Sequence, residues 1–162
     1  MINNIIPLKS KTRRESYSVM TELVLPNDAN LIGNLLGGKL LHYIDIAAAL
    51  TATRHTEGLV ATMIMDAVEF RRPVKVGSIL ELRAYVTWTG TTSLEVAVEV
   101  FSENYAAGVK QFINRTYLLF VAIDECGCKR PVPSLSTEND AERKEFAEGA
   151  ERRAKRMTAI HS

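Results

Sequence analysis

The stretch LGGKLLHYIDIAAAL, residues 36–50, has the spacing of a helix that is apolar around most of its circumference. Leu36, Leu40, Tyr43, Ile44, Ala47 and Leu50 form one stripe at helical spacing. The pattern predicts a helix from about Leu36 to His55, with Gly58 just past its end as a C-terminal cap. Inside this apolar setting stands one carboxylate, Asp45, between Ile44 and Ile46. An ionised Asp in apolar surroundings costs several kcal/mol unless it is paired or hydrogen-bonded. Asp is also a poor helix former in an interior turn. A residue that breaks two local rules at once is a candidate for function.

On both sides of the helix the period changes to two. Residues 15–25, with Tyr17, Val19, Thr21, Leu23 and Leu25 alternating, predict a strand that Pro26 ends, and PNDANLIGN is a loop of turn formers. After the helix, LVATMIMDAVEF (59–70) is rich in β-formers and nearly all apolar in its first half. SILELRAYVTW (78–88), SLEVAVEVFSE (93–103) and FINRTYLLFVAID (112–124) follow, separated by the turns TGTT and YAAGVK. In the middle one, Leu94, Val96, Val98 and Val100 alternate with Glu95, Ala97 and Glu99. Short turns between successive strands imply antiparallel hairpins. The expected class is α+β, an antiparallel sheet wrapped round one long central helix. From 136 to 162 the chain is charged and predicts a solvent-facing helical tail with few apolar residues to anchor it. The expected division is an extension (1–14), one domain (15–135) and the charged tail (136–162). A curved sheet leaves edge strands open, and pairing them between two copies protects them. A homodimer at least is therefore expected.

The 162 residues are enough for one domain with a hydrophobic core. A formal net charge of +1 makes no global case for nucleic acid or a membrane surface. No apolar run approaches the ~20 residues of a spanning helix, and MINNIIPLKSKTRRESY lacks the apolar core of a secretory signal. These features lead to an expected cytoplasmic location. Cys126 and Cys128 lie in DECGCKR with no second Cys or His pair to complete the about four ligands of a zinc site. They read as plain thiols flanking a Gly turn. There is no G-x-S-x-G, phosphate loop or metal-ligand cluster.

PNDANLIGNLLGGKLLHYID, then VEFRRPVKVGS, then TGTTSLEVAVEV, in that order and at these spacings, resemble the hotdog-fold acyl-CoA thioesterases, in particular the bacterial and cytosolic long-chain acyl-CoA hydrolases. The similarity covers roughly residues 15–135 and an AERR element in the tail. It implies hydrolysis of acyl-CoA to fatty acid and CoA, with no cofactor beyond the CoA of the substrate. It implies two sites per dimer, each drawing on both subunits, and in many members a trimer of dimers. No nucleic-acid partner and no membrane insertion are implied.

Thioester hydrolysis needs an activated water or a nucleophile, a group that polarises the carbonyl, and a hold on the acyl chain and CoA. Asp45 suits general base or nucleophile, and desolvation would raise its pKa and make it a better base. The resemblance places the catalytic acid at this position; the competing reading has Asp45 cap a loop or pair with a buried base such as His42 one turn earlier. Gly37 and Gly38 open the helix, where free N–H groups and the positive end of the helix dipole suit an oxyanion. Tight helix–strand packing is the other reading of these glycines. Asn30 is either a turn former or, as the resemblance implies, a group that faces the Asp of the other subunit. Gly38, Leu41, Ala48, Ala49 and Ala52 are expected beside Asp45, leaving room for an acyl chain or a neighbouring helix.

For CoA, the resemblance implies backbone pairing of pantetheine with Met63, Ile64 and Met65, and with Thr92, Ser93 and Leu94. The phosphates need cations: Arg71, Arg72 and Lys75 beside Pro73, and Arg152 and Arg153 in the tail. Ala154 stands where related sequences carry a third Arg, with Lys155 or Arg156 as substitutes. Two other functions fit parts of the pattern. A hydroxyacyl-thioester dehydratase would want a His near the acid, and His42 and His55 lie on the helix. A non-catalytic acyl-CoA-sensing module would normally carry a DNA-binding segment, for which KSKTRRE is too short.

Overall fold

The computed structural model of the chain describes residues 8–161. In chain order it contains β1 (Lys11–Thr12), α1 (Arg13–Ser16), β2 (Ser18–Leu23), α2 (Gly37–Thr56), β3 (Val60–Met65), β4 (Ile79–Thr89), β5 (Ser93–Asn104), β6 (Val109–Ala122), β7 (Leu135–Ser136) and α3 (Asp140–Ile160). Five strands form one antiparallel sheet in the order β2-β4-β5-β6-β3, so β2 and β3 are its edges. β1 and β7 make a separate parallel pair.

The α+β expectation holds, and the alternation along β5 explains the layering. Leu94, Val96, Val98 and Val100 point to the face that carries α2, whose Leu40, Ile44, Ala47, Ala48 and Ala52 complete the core. Glu95 and Ala97 are buried on the opposite face, although no second layer was expected there. α3 supplies it. This corrects the reading of the tail as solvent-facing: Gly149 brings α3 so close that a Cβ there would lie 2.7 Å from Trp88 Cβ and 3.1 Å from Glu95 Oε1. Guanidinium–carboxylate pairs, together with Phe146 against the edge of the core, hold this helix. A pattern of apolar residues does not reveal such an anchor. Asn139 Oδ1 accepts from Glu142 N at 2.9 Å and caps the helix.

Element ends differ from expectation for local reasons. The strand expected from 15 begins at Ser18, because Thr12 N donates to Glu15 Oε2 at 2.7 Å and closes α1 as one helical turn. β3 ends at Met65, not at Phe70. Beyond it, side chains of β6 replace the ladder: Thr116 Oγ1 donates to the Asp66 carbonyl at 3.3 Å and Asn114 Nδ2 to the Glu69 carbonyl at 2.8 Å. At the end of α2 the left-handed residue is Glu57 (φ 52°), not Gly58. Gly58 leaves room for Arg130, whose Nη2 would lie 2.4 Å from a Cβ there. That guanidinium donates to the carbonyls of Thr56, Leu59 and Ile123, tying the helix end to two strands. Leu36 and Leu50 fall outside the buried stripe and stay 44% and 43% exposed. Among the described residues no helix is long and apolar enough to cross a membrane.

His55 is fully buried on α2. One ring nitrogen, Nε2, lies 2.8 Å from the Pro133 carbonyl and the other 3.5 Å from Ser16 Oγ. Burial holds this imidazole below its ordinary value of 6.5. The unfolded chain therefore takes up a proton near that pH while the folded chain does not, and stability falls as pH drops. We predict that the thermal midpoint declines between pH about 6.5 and 5, with a flatter slope in His55→Asn. Equal slopes in melts of the two proteins would remove His55 as the cause.

Candidate active site

The half-buried Asp45 side chain reaches the edge strand. Thr62 Oγ1 on β3 donates to Asp45 Oδ1 at 2.9 Å. His42, the alternative partner, is exposed, with its ring against Tyr43 at a centroid distance of 6.0 Å. Thr62 directly precedes a bulge: it pairs with Phe120 and Ile64 with Leu119, so Met63 is the extra residue. A bulge re-aims side chains at a sheet edge. Sequence reasoning missed Thr62. Its only local signal is a lone hydroxyl in the apolar run VATMIM.

Among the described residues no side chain caps the N-terminus of α2. The first helical acceptances on the Leu36 carbonyl come from Lys39 and Leu40, both at 3.1 Å. The Gly37 and Gly38 amides have no acceptor among the described residues. The Phe70 ring lies against Gly37, where a Cβ would sit 3.2 Å from its Cζ, whereas the space beside Gly38 is open. Of the small residues expected near Asp45, Ala48 and Ala52 instead face the core, and Leu41 and Ala49 are half-buried.

Asn30 is exposed, and its Oδ1 accepts from Ile32 N (3.1 Å) and Asn34 N (3.0 Å), shaping the turn before the helix. The amide Nδ2 has no partner among the described residues. A cavity of about 280 Å³ lies between this turn, the start of α2 and the segment after β3, lined by Asn30, Gly37, Leu40, Phe70 and Arg72. The helical rise sets Asp45 roughly 10 Å along the axis from Gly38, on the same face. Asp45 and Gly38 of one chain are therefore about two helical turns apart.

Met63, Ile64 and Met65 lie on an edge strand that, among the described residues, pairs only with β6. Thr92, Ser93 and Leu94 are not brought to such an edge. β5 lies between β4 and β6, and the Thr92 and Ser93 carbonyls accept from Ala122 N (2.9 Å) and Gly90 N (2.8 Å). Among the cations, Arg71 pairs with Glu69, Arg72 is exposed in the cavity wall, and Lys75 is exposed outside that cavity. Arg152 is engaged elsewhere: it forks onto Glu95 and lies 3.7 Å over the Tyr117 ring. Arg153 is half-buried, and its Nε has no hydrogen-bond partner among the described residues. Arg156, named only as a substitute, is the most buried of these arginines.

The profile of the Thioesterase superfamily matches residues 32–107. The uncharacterized acyl-CoA thioester hydrolase YkhA of Bacillus subtilis is 40% identical over 129 residues, covering 80% of this chain and 75% of that one. Among solved structures, an apo-hexameric acyl-CoA thioesterase superposes with a TM-score of 0.89 at 38% identity, over 94% of this chain and 98% of its own. The acyl-CoA hydrolase of Staphylococcus aureus, in complex with butyryl-CoA, CoA and CoA disulfide, does so at 0.83 and 34% identity, over 94% and 92%. Structures of its alanine variants at an Asp, a Thr and an Asn superpose as well. Motifs, layering and relatives agree: the chain belongs to the hotdog-fold thioesterase superfamily, among its acyl-CoA thioester hydrolases.

Proposed function

We propose that this chain hydrolyses acyl-CoA to a fatty acid and CoA at sites shared by two copies. The carrying observation is Asp45, a carboxylate held at Oδ1 by Thr62 with its other oxygen left for water. Asp45 takes a proton from water as the oxygen attacks the thioester carbon. The amides of Gly37 and Gly38 from the other copy accommodate the developing oxyanion, and the Asn30 amide orients water or carbonyl. Collapse breaks the C–S bond, and the proton returns from Asp45 to the CoA thiolate. Direct attack by Asp45, through an anhydride, is the alternative route. The Asn, Asp and Thr substituted in the Staphylococcus aureus variants have the same order and spacing as Asn30, Asp45 and Thr62, which supports this assignment.

The edge of β3 pairs with pantetheine or with a second copy, and Arg71, Arg72, Lys75 and Arg153 are the phosphate contacts. Arg152 has a structural role instead. Leu31, Ile32, Ile46 and Leu50, all exposed, are the apolar surface that dimerisation covers. The apo-hexameric relative supports a trimer of dimers.

The test is hydrolysis of an acyl-CoA panel from acetyl to palmitoyl, following free CoA with a thiol reagent. Turnover that peaks at one chain length is expected. Acyl-CoA binding without turnover on any chain would replace the enzyme by a sensing module. We further predict that Asn30→Ala slows turnover about 100-fold while the dimer persists. A monomeric or molten variant would make Asn30 a turn former only. Mixed Asp45→Asn and Asn30→Ala subunits should regain about a quarter of wild-type activity, since half the dimers then hold one intact site. No gain in confirmed heterodimers would place both groups in one subunit's site.

A further inference from the structure

The arginines that hold α3 do more than dock it. Glu95 is fully buried and accepts from Thr87 Oγ1 (2.7 Å), from Arg152 Nε and Nη2 (3.0 and 2.7 Å), and faces Arg156 Nη1 (2.8 Å). Two guanidiniums on one carboxylate leave an excess positive charge in a nearly dry site, which is costly. Asp66 balances it. Arg156 forks onto Asp66, Nε to Oδ1 at 3.0 Å and Nη2 to Oδ2 at 2.6 Å. The result is a neutral group of two carboxylates and two guanidiniums that joins β5, α3 and the exit of β3.

Asp66 is where the chain leaves the sheet. Its N–H makes the last backbone–backbone bond to β6, on the Tyr117 carbonyl at 3.0 Å. The segment from 67 to 78 then runs to β4 outside the five-stranded sheet, with an isolated antiparallel bridge between Lys75 and Asn34, and carries Arg71, Arg72 and Lys75. Its far end is tied to the loop before α2: Leu35 N donates to the Val74 carbonyl at 2.7 Å and Val76 N to the Gly33 carbonyl at 3.1 Å. Its near end rests on Asp66, with Asn114 holding Glu69 one turn on. Between these ties the segment forms the wall of the cavity beside the helix start.

We propose that Asp66 and Arg156 are a positioning pair: α3, seated on Glu95, clamps the exit of β3 and so sets where the cationic segment 67–78 meets the CoA phosphates. This rests on the reading of that segment as the phosphate-binding side of the acyl-CoA site. A bidentate pair fixes direction as well as distance. Losing it lets the segment's near end swing, and affinity for the phosphates falls while Asp45 and Thr62, on other ties, stay in place.

The test compares an acyl-CoA with the N-acetylcysteamine thioester of the same acyl group, which has the reacting bond but no phosphates. In Asp66→Asn, KM for acyl-CoA should rise roughly tenfold with kcat within about threefold, and the truncated thioester should react at the wild-type rate. Arg156→Lys keeps the charge on Glu95 but not the fork onto Asp66, so it should reproduce the effect if Asp66→Asn folds poorly. Equal losses on both substrates, tracking a fall in Tm, would make the pair merely structural. No change on either would make it idle. If the wild type does not favour the CoA substrate over the truncated one, the phosphate reading itself fails. If it hydrolyses neither, the proposed function fails.

Discussion

Asp45→Asn is expected to lower kcat and kcat/KM for acyl-CoA together, by about 10³-fold, with KM nearly unchanged. The amide has the same shape and its oxygen still accepts from Thr62, whose hydroxyl donates to Oδ1 at 2.9 Å in the native chain. The fold, the helix and bound CoA should therefore survive, and only the capacity to take a proton is lost. Steady-state kinetics beside a CoA-binding isotherm checks this. Full activity would remove Asp45 from the chemistry and leave it a helix carboxylate satisfied by a threonine. A single turnover in ¹⁸O water separates its two possible roles. A base leaves the label in the fatty acid, whereas a nucleophile hydrolysed at its own carbonyl carries it in the peptide containing Asp45.

Glu95→Ala is expected to destabilise the chain by about 3–5 kcal/mol, the cost of leaving buried charges without their partner. For a domain of this size that is a fall in Tm of roughly 6–20 °C. The side chain of Glu95 is wholly inaccessible, and its removal takes the carboxylate from Arg152, leaves Arg156 with Asp66 alone and leaves the Thr87 hydroxyl with only the backbone carbonyl of residue 95. α3 should come away first, so trypsin should cut at Lys144 and Lys155 before the rest of the chain opens. Glu95→Gln keeps the Thr87 bond and one acceptor, and should fall between the two proteins. If urea unfolding of Glu95→Ala lies within about 1 kcal/mol of wild type, the network is not what holds α3. Phe146 and Trp88 must then suffice.

The elements at the centre of the molecule were readable because their signals are local. A 3.6-residue stripe marked α2, and the alternation at 94–100 marked which face of β5 meets it. Asp45 stood out for the same reason, as one carboxylate in the wrong local company. The motifs around Asn30, Gly37–Gly38 and Arg71–Arg72 carried the family with them.

What escaped is non-local. Thr62 is an ordinary strand residue until β3 is laid beside α2, 17 residues from Asp45 along the chain. Gly58 matched a helix cap, yet its lack of a side chain serves Arg130. The tail appeared solvated because charge was counted without its partners. Arg152 meets Glu95 across 57 residues and Arg156 meets Asp66 across 90. Periodicity assigned this chain its helix, its strands and its odd carboxylate, since each depends on neighbours within a turn or two. Which cations face substrate and which face a buried carboxylate depended on folding, because an ion pair is defined by distance in space and its sequence separation is unconstrained.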